Sequence, residues 1–213
     1  LHDALPISIT TNNVNIGGFV NMLFAAKEAG IKRFVYASSS SVYGDEKTLP
    51  KVESRIGKPL SPYAVTKYTN EVYADVFSKT YQMEIIGLRY FNIFGPSQDP
   101  NGPYAAVIPL FISQLFKGQT IKINGDGKTT RDFTYVANAV QANLLALMNP
   151  NEAAVNQVYN IACGANFSLL DLVANIEAAT GKKAIIEHQD FRQGDIRDSL
   201  ADISRAKSLL GYD

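Results

Sequence analysis

A tyrosine and a lysine stand four residues apart in the stretch SPYAVTK, residues 61–67. Residues at this spacing are neighbours on a helix surface, so Tyr63 and Lys67 lie side by side if the segment is helical. An ammonium close to a phenol favours the phenolate and lowers the pKa of the phenol from about 10 toward neutral pH. The pair therefore predicts a proton acceptor for acid–base catalysis. The same spacing also arises by chance on amphipathic helices, so the interpretation needs partners elsewhere in the chain.

Helical and strand patterns alternate around this stretch. They are, in order, a helix over residues 15–29 that stops at Gly30, a strand over residues 32–39, the helix with the tyrosine and the lysine, and a strand over residues 83–90. Such alternation is typical of α/β proteins with a parallel sheet, whose sites gather beyond the carboxyl ends of the strands. Residues 38–41 and 90–92 stand at two such ends.

The second half of the chain is less regular. Its patterns are a helix over residues 105–118, a strand over residues 120–125, the turn Gly125-Asp126-Gly127, the segment RDFTYV, a helix over residues 137–148, a strand over residues 158–163, and a closing helix, strand, loop FRQGDIRDS and short helix. Short elements of this kind after a parallel sheet predict a smaller lobe that covers the substrate. The cleft between the two parts is then the expected binding site.

Composition narrows the classes of partner. The 213 residues carry 20 lysines and arginines against 20 aspartates and glutamates, and no basic stripe appears, so we expect neither nucleic acid nor a membrane surface as a partner. Small molecules are the expected ligands. Cys163 is the single cysteine and no Cys/His cluster has metal-ligand spacing, so we expect no disulfide, no metal and a reducing, cytoplasmic setting.

Three motifs occur in a fixed order along the chain, and together they indicate one protein family. SSSSVYG (residues 38–44), SPYAVTK and RYFNIFGP (residues 89–96) are followed by NGDGKTTRDFTYV and FRQGDIRDSLADIS. From Ile9 to its last residue the chain thereby resembles the extended short-chain dehydrogenase/reductases, specifically the nucleotide-sugar epimerases. The group it resembles most is the bacterial UDP-N-acetylglucosamine 4-epimerases of surface-polysaccharide pathways.

The resemblance implies a Rossmann-type NAD-binding sheet, yet one hallmark is missing from the sequence. The family receives the dinucleotide pyrophosphate on a glycine-rich turn, and no Gly-x-Gly-x-x-Gly or Gly-x-x-Gly-x-x-Gly occurs here. We therefore expect an N-terminally truncated member that is itself inactive. Its expected parts are an unrelated leader (1–8), the remainder of the NAD-binding sheet (9–95 and 134–162) and a substrate-binding lobe (96–133 and 163–213).

The family mechanism assigns roles to the catalytic candidates. It implies that NAD takes hydride from C4 of the sugar while Tyr63 removes the proton of the C4 hydroxyl. The 4-keto sugar then presents its other face to the cofactor, and the hydride returns to that face. Lys67 is implied to hold the nicotinamide ribose, and Ser39 to hydrogen-bond the reacting oxygen, with Ser40 and Ser41 as competitors. Apart from the resemblance, a serine run is ordinarily a polar strand end.

The remaining positions are assigned by the same resemblance. Cofactor contacts fall to Ser38, Tyr63, Lys67 and Tyr90. Substrate contacts fall to Ser40, Ser41, Asn92, Ala106, Val107, Asn124, Arg131, Arg192, Asp195 and Ser199. Arginine suits the diphosphate because its planar guanidinium pairs with two phosphate oxygens. Asn15 resembles the asparagine that orders water near the site, although it is also a good helix N-cap. His188 and Cys163 are interpreted as structural.

Local chemistry separates the reactions of the family. Its dehydratases place an Asp-Glu pair where Ser40 and Ser41 stand, its decarboxylases a glutamate, and its uronate epimerases a threonine at Asn92. This comparison leaves 4-epimerisation of a UDP-hexose. A small Ser199 beside the sugar C2 substituent favours UDP-N-acetylhexosamines. The alternatives are a UDP-glucose/UDP-galactose 4-epimerase and a catalytically silent sugar-nucleotide-binding protein. The family also implies a homodimer formed through the helix that carries Tyr63.

Overall fold

The computed structural model describes residues 4–101, 106–191 and 197–213. Its α-helices are α1 (Ala4–Asn12), α2 (Gly18–Glu28), α3 (Pro62–Tyr81), α4 (Val107–Phe116), α5 (Val136–Met148) and α6 (Leu169–Thr180). Its strands are β1 (Arg33–Ser39), β2 (Glu84–Tyr90), β3 (Ile93–Phe94), β4 (Ile121–Asn124), β5 (Thr130–Arg131), β6 (Thr134–Tyr135), β7 (Gln157–Ile161), β8 (Phe167–Ser168) and β9 (Ile186–Gln189). Shorter helical turns cover Asn13–Gly17, Ser40–Tyr43, Glu152–Ala154 and Ala206–Leu210.

A parallel sheet in the order β1-β2-β7 forms the centre of the larger part. Its strands are short apolar runs covered on both faces, as parallel sheets require. Leu23 of α2 and Phe77 of α3 pack with Ile85 on one face, and Ala142 of α5 packs with Leu88 on the other. The register pairs Ser39 with Tyr90, so the carboxyl ends of β1 and β2 lie level. The predicted α/β class with a parallel sheet is confirmed.

Helix α3 begins where its sequence signals predict. The Ser61 hydroxyl accepts a hydrogen bond of 3.1 Å from the backbone N–H of Ala64, and Pro62 occupies the first helical position. The helix runs for 20 residues and ends at Gln82, which is left-handed at φ 54°. Tyr63 and Lys67 therefore lie in its first two turns, as the four-residue spacing requires.

Helices α1 and α2 join through a π-helical turn, Asn13–Gly17, and the helix that results ends before Gly30 at φ +69°. The helix begins at Ala4, inside the segment 1–8 that the sequence interpretation sets apart as a leader. The helix predicted over residues 15–29 is thus present, and it starts earlier than the pattern indicates.

A second hydrophobic cluster lies in the short elements of the second half. Phe111 and Leu115 of α4 pack with Ile121 and Ile123 of β4 and with α6. In the same half of the chain, β4 pairs in parallel with β9 and β5 pairs antiparallel with β8. The separate core is what a smaller lobe needs, and the division of the chain into two domains stays a prediction.

Candidate active site

Lys67 is attached to the sheet beside the ring of Tyr63. Its Nζ donates a hydrogen bond of 3.0 Å to the carbonyl oxygen of Ala37 near the end of β1. The same Nζ lies 5.8 Å from the centroid of the Tyr63 ring. Burial lowers the pKa of the Lys67 ammonium below its ordinary value. Tyr63 is 43% exposed, so the residue remains accessible from solvent.

The serine run turns sharply at the end of β1. Ser39 is the last strand residue, and its Oγ accepts a hydrogen bond of 3.2 Å from the backbone N–H of Ser41. A hydroxyl that accepts in this way keeps its own proton for a further acceptor. The Ser41 Oγ is buried and has no hydrogen-bond partner within the described part of the chain. Ser39 and Ser41 therefore both retain polar capacity at the strand end, and Ser40 is half-buried between them.

Ser38 faces the other way. It is buried, and its hydroxyl donates a hydrogen bond to the carboxylate of Glu71 on α3. Successive side chains of a strand point to opposite faces, which separates Ser38 from Ser39. A cofactor contact by Ser38 would therefore have to use its backbone, and this assignment stays a prediction.

Asn15 reaches the first turn of α3 through Thr66. Its Nδ2 donates 3.0 Å to Thr66 Oγ1, which in turn donates 2.8 Å to the carbonyl oxygen of Tyr63. Asn15 lies in the π-helical turn, a local geometry that is frequent at functional sites. The residue is thus joined to the tyrosine backbone, while the water-ordering role stays a prediction.

Tyr90 is the last residue of β2, and Asn92 lies just after it, beyond Phe91. Their side chains form hydrogen bonds with different parts of the structure. The Tyr90 hydroxyl accepts a hydrogen bond of 2.7 Å from Asn143 Nδ2 on α5, and burial raises the pKa of Tyr90. Asn92 adopts φ +38°, which asparagine tolerates better than most residues, and its Nδ2 donates 3.0 Å to the carbonyl oxygen of Asp132. The turn at Asn92 leads the chain into the lobe that carries the cavity.

A cavity of about 280 Å³ gathers five of the predicted substrate residues. They are Asn92, Ala106, Val107, Asn124 and Arg131. Apolar side chains complete its wall, namely Ile93, Phe94, Ile108, Phe133 and Leu169. A mostly apolar cavity with a few polar groups and a guanidinium is suited to an aromatic or sugar ring joined to an anion. Its size is close to the lower end of ligand sites in proteins.

The sequence that forms this site matches a known protein family. The NAD dependent epimerase/dehydratase family matches residues 6–162 of the sequence. The chain belongs to this family. Its similarity to solved structures of UDP-sugar epimerases, given next, covers nearly all of its length and confirms both the predicted Rossmann-type fold and the resemblance to nucleotide-sugar epimerases.

Three epimerases illustrate the similarity. A UDP-N-acetylglucosamine 4-epimerase from Methanobrevibacter ruminantium M1, in complex with UDP-N-acetylmuramic acid, superposes with a TM-score of 0.93 at 37% identity over 99% of this chain and 66% of its own. A UDP-glucuronic acid 4-epimerase from Bacillus cereus, in complex with UDP-glucuronic acid and NAD, has a TM-score of 0.85 at 34% identity over 93% and 62%. A UDP-glucose 4-epimerase of Mycolicibacterium smegmatis is 36% identical over 93% of this chain and 63% of its length. The chain thus spans less than two thirds of each of these relatives.

The other predicted residues of this epimerase-family chain lie apart from the cavity or outside the description. Arg192 and Asp195 fall outside the described residues. Ser199 is half-buried in the segment that follows them, and its neighbour Asp198 accepts a hydrogen bond of 2.9 Å from Thr130 Oγ1. That contact places the segment against β5, the strand that contains Arg131.

His188 and Cys163 both lie at exposed positions, and their structural role stays a prediction. His188 Nδ1 lies 2.8 Å from the carbonyl oxygen of Gly125, which connects β9 to the turn after β4. Burial raises the pKa of the Cys163 thiol. Within the described residues, no group of three or more His, Cys, Asp or Glu side chains is arranged to hold a metal ion, and no helix is long and apolar enough to cross a membrane.

Sequence reasoning missed a buried ion pair on the helix that carries Tyr63 and Lys67. Arg89 donates 2.9 Å and 2.8 Å hydrogen bonds to the two carboxylate oxygens of Glu71, and both side chains are almost fully buried. Glu71 lies four residues after Lys67 on α3, so the ion pair joins β2 to the helix face that carries Lys67. The available signal in the sequence was the spacing: Glu71 follows Lys67 by four residues, as Lys67 follows Tyr63, which places all three on one helix face.

Proposed function

We propose that the protein containing this chain catalyses the NAD-dependent 4-epimerisation of UDP-N-acetylhexosamines, interconverting UDP-N-acetylglucosamine and UDP-N-acetylgalactosamine through a 4-keto sugar. The observation that carries the proposal is the attachment of Lys67 to the end of β1 beside the accessible ring of Tyr63, with Ser39 at the same strand end. The proposal concerns the whole protein, because the chain spans less than two thirds of the relatives compared above.

The residues present fit the nicotinamide end of NAD better than its pyrophosphate end. Lys67 offers an ammonium at the carboxyl end of the sheet, where the family binds the nicotinamide ribose. A glycine-rich turn for the pyrophosphate is not in this sequence. NAD when bound supplies a reversible acceptor for the hydride of sugar C4. We therefore infer that NAD binding requires more polypeptide than these 213 residues.

The chain's own side chains account for the proton chemistry. Tyr63 takes the proton of the C4 hydroxyl and later returns it. Ser39, whose hydroxyl retains its proton, donates a hydrogen bond to the same oxygen and keeps it oriented toward Tyr63. Lys67 stabilises the negative charge that forms on the phenol, and its own attachment to Ala37 restricts its motion.

The cavity supplies the proposed nucleotide site. Four of its predicted residues line that cavity, and we assign Arg131 to the diphosphate, Asn124 to the nucleoside, and the backbone at Ala106 and Val107 to the pyrophosphate region. We include Arg192 and Asp195 in this site from the family resemblance. UDP-N-acetylmuramic acid in the complex from M. ruminantium supports a UDP-linked N-acetylated sugar as the ligand class.

A UDP-glucose/UDP-galactose 4-epimerase is the second candidate, supported by the relative from M. smegmatis. Ser199 favours the acetylated sugars because a small side chain leaves space at the C2 substituent. Asn92 stands where uronate epimerases carry threonine, which disfavours a uronic acid. A catalytically silent sugar-nucleotide-binding protein would have no use for Ser39, Tyr63 and Lys67 together.

We also propose a cytoplasmic homodimer. Exposed apolar residues form a stripe along α3, and a second copy of the protein would cover it. The stripe consists of Val65, Tyr68, Val72, Tyr73 and Val76. Val72→Glu should convert the dimer to monomer in sedimentation velocity, whereas an unchanged dimer would place the interface elsewhere.

The test of the function is turnover by the full-length protein. UDP-N-acetylglucosamine and NAD in deuterated water should yield UDP-N-acetylgalactosamine that retains protium at C4, because the same hydride returns to the sugar. Binding of the sugar nucleotide with no product would instead identify a silent binding protein. Product from UDP-glucose alone would leave the second candidate.

A further inference from the structure

Asp132 is a fully buried carboxylate surrounded by backbone N–H groups. Its exposed fraction is 0%, and Oδ1 accepts a hydrogen bond of 2.9 Å from Cys163 N. Oδ2 accepts bonds of 3.1 Å from Gly164 N and 3.3 Å from Ala201 N. A buried charge is costly unless it is hydrogen-bonded, and three donors offset that cost here.

The donors come from segments that are far apart along the chain. Cys163 and Gly164 follow the end of β7 in the central sheet. Ala201 follows the segment that holds Ser199 and is bridged to Lys51. The carbonyl oxygen of Asp132 also accepts the hydrogen bond from Asn92, which follows β2. One residue thus connects the ends of two sheet strands to the lobe.

The residues on either side of Asp132 face the cavity. Burial alternates along this segment, with Asp132 and Thr134 buried and Arg131 and Phe133 half-buried. Arg131 and Phe133 both line the cavity, whereas Asp132 does not. Because neighbouring side chains of an extended chain point to opposite sides, fixing the Asp132 carboxylate on one side presents the other two residues to the cavity.

We propose that Asp132 is a positioning residue for the nucleotide site: its hydrogen bonds to the post-β7 turn and to the Ser199 segment set Arg131 and Phe133 against Asn92, and so determine affinity for the uridine diphosphate part of the substrate. This inference rests on the proposed function. Asp132 touches no substrate, and its effect is on binding and not on the proton chemistry of Tyr63.

The variant Asp132→Asn tests the proposal with little change in volume. It replaces one acceptor oxygen by an NH₂ group that faces backbone N–H donors, so the cluster cannot be satisfied. UDP is the probe, titrated into the full-length protein by calorimetry. We expect its dissociation constant to rise about tenfold or more, the scale of one lost hydrogen bond to a charged group. KM should rise with it while kcat stays within about twofold, because the groups that touch sugar C4 are unchanged.

Tyr159→Phe is the matched control for a loss of stability alone. Tyr159 is also fully buried, and its hydroxyl donates a hydrogen bond of 2.7 Å to Ala154 O in the core away from the cavity. This variant should lower the melting temperature without changing the dissociation constant of UDP. Equal UDP binding by wild type and Asp132→Asn would overturn the proposal for Asp132 alone. No UDP binding by wild type would overturn the proposed function and this inference with it.

A measurement on the wild-type protein covers the case in which Asp132→Asn does not fold. The amides of Cys163, Gly164 and Ala201 donate to Asp132 and do not line the cavity. Saturating UDP should slow their hydrogen exchange, because a ligand held by Arg131 and Phe133 stabilises the arrangement that these amides maintain. Unchanged exchange at all three amides, with slowed exchange at the cavity residues, would contradict the coupling.

Discussion

The Lys67 ammonium lies 5.8 Å from the centroid of the Tyr63 ring and is held there by a hydrogen bond of 3.0 Å to Ala37 O of the neighbouring strand. The pair is therefore positioned by the sheet as well as by its helix. One turn further along α3, the buried Glu71 binds Arg89 of β2 and the Ser38 hydroxyl. Contacts with β1 and β2 thus fix the position of α3 relative to the sheet at Lys67 and Glu71.

Tyr63→Phe should reduce epimerisation by the full-length protein by roughly 100-fold or more, because it removes the proton acceptor while retaining the ring. Initial rates with UDP-N-acetylglucosamine provide the measurement. Tyr81→Phe, at the exposed last residue of the same helix, is the control and should retain the wild-type rate. Near-normal turnover by the Tyr63 variant would remove Tyr63 from the mechanism.

The serine run should respond unequally to alanine substitution. Ser39→Ala should reduce kcat more than Ser40→Ala or Ser41→Ala, since Ser39 ends β1 level with Tyr90. Steady-state kinetics on the three single variants of the full-length protein compare them directly. A larger loss at Ser41, whose buried Oγ has no partner among the described residues, would transfer the proton relay to that residue.

Much of the central sheet could be predicted because its signals are local. The Ser61-Pro62 start of α3 and the apolar runs of β1 and β2 depend on neighbouring residues, and all three elements lie where the patterns place them. The five cavity residues were predicted from the family resemblance, which rests on the order of the motifs along the chain. Asp132 could not be found in this way, because its three donors lie 31, 32 and 69 residues away. The direction of the Tyr90 hydroxyl toward Asn143 likewise depends on tertiary packing.

Lys67 should titrate below the ordinary lysine value of about 10.4, since burial lowers its pKa. The unfolded chain then binds this proton more tightly than the folded chain. Protonation therefore favours the unfolded chain. The free energy of unfolding is highest, as far as Lys67 is concerned, above the unfolded pKa, and it falls as pH drops through the folded pKa. Lysine side-chain carbon resonances followed against pH, assigned with Lys67→Met, measure the value. Titration at or above the ordinary value would show that the ammonium is solvated in solution.

The chain expressed alone should be poorly soluble and should show no NAD-dependent rise in melting temperature. Among the described strands, β1 pairs only with β2, so its other edge is open, and exposed strand edges promote aggregation. Val140, Leu144 and Leu147 of α5 add an exposed apolar face. Size-exclusion chromatography and thermal denaturation with NAD provide the measurements. A soluble monomer that binds NAD with micromolar affinity would contradict the expectation that more polypeptide is needed.

Ser199 is the last position for which we expect a specific change. The residue is half-buried, and the backbone around it is fixed by bonds from Thr130 to Asp198 and to the carbonyl oxygen of Arg197. We propose that this small side chain leaves room for the acetamido group of the sugar and that its hydroxyl hydrogen-bonds that group.

Competing-substrate kinetics should therefore favour UDP-N-acetylglucosamine over UDP-glucose by roughly 10- to 200-fold, the range of pocket differences of this size. Ser199→Tyr should abolish activity on the acetylated sugars and spare the plain ones, because the ring fills the space of the acetamido group. Ser204→Tyr, an exposed serine nearby, should leave the preference unchanged. If the unmutated protein used UDP-glucose equally well, Ser199 would not determine specificity, and the function would be that of a general UDP-hexose 4-epimerase.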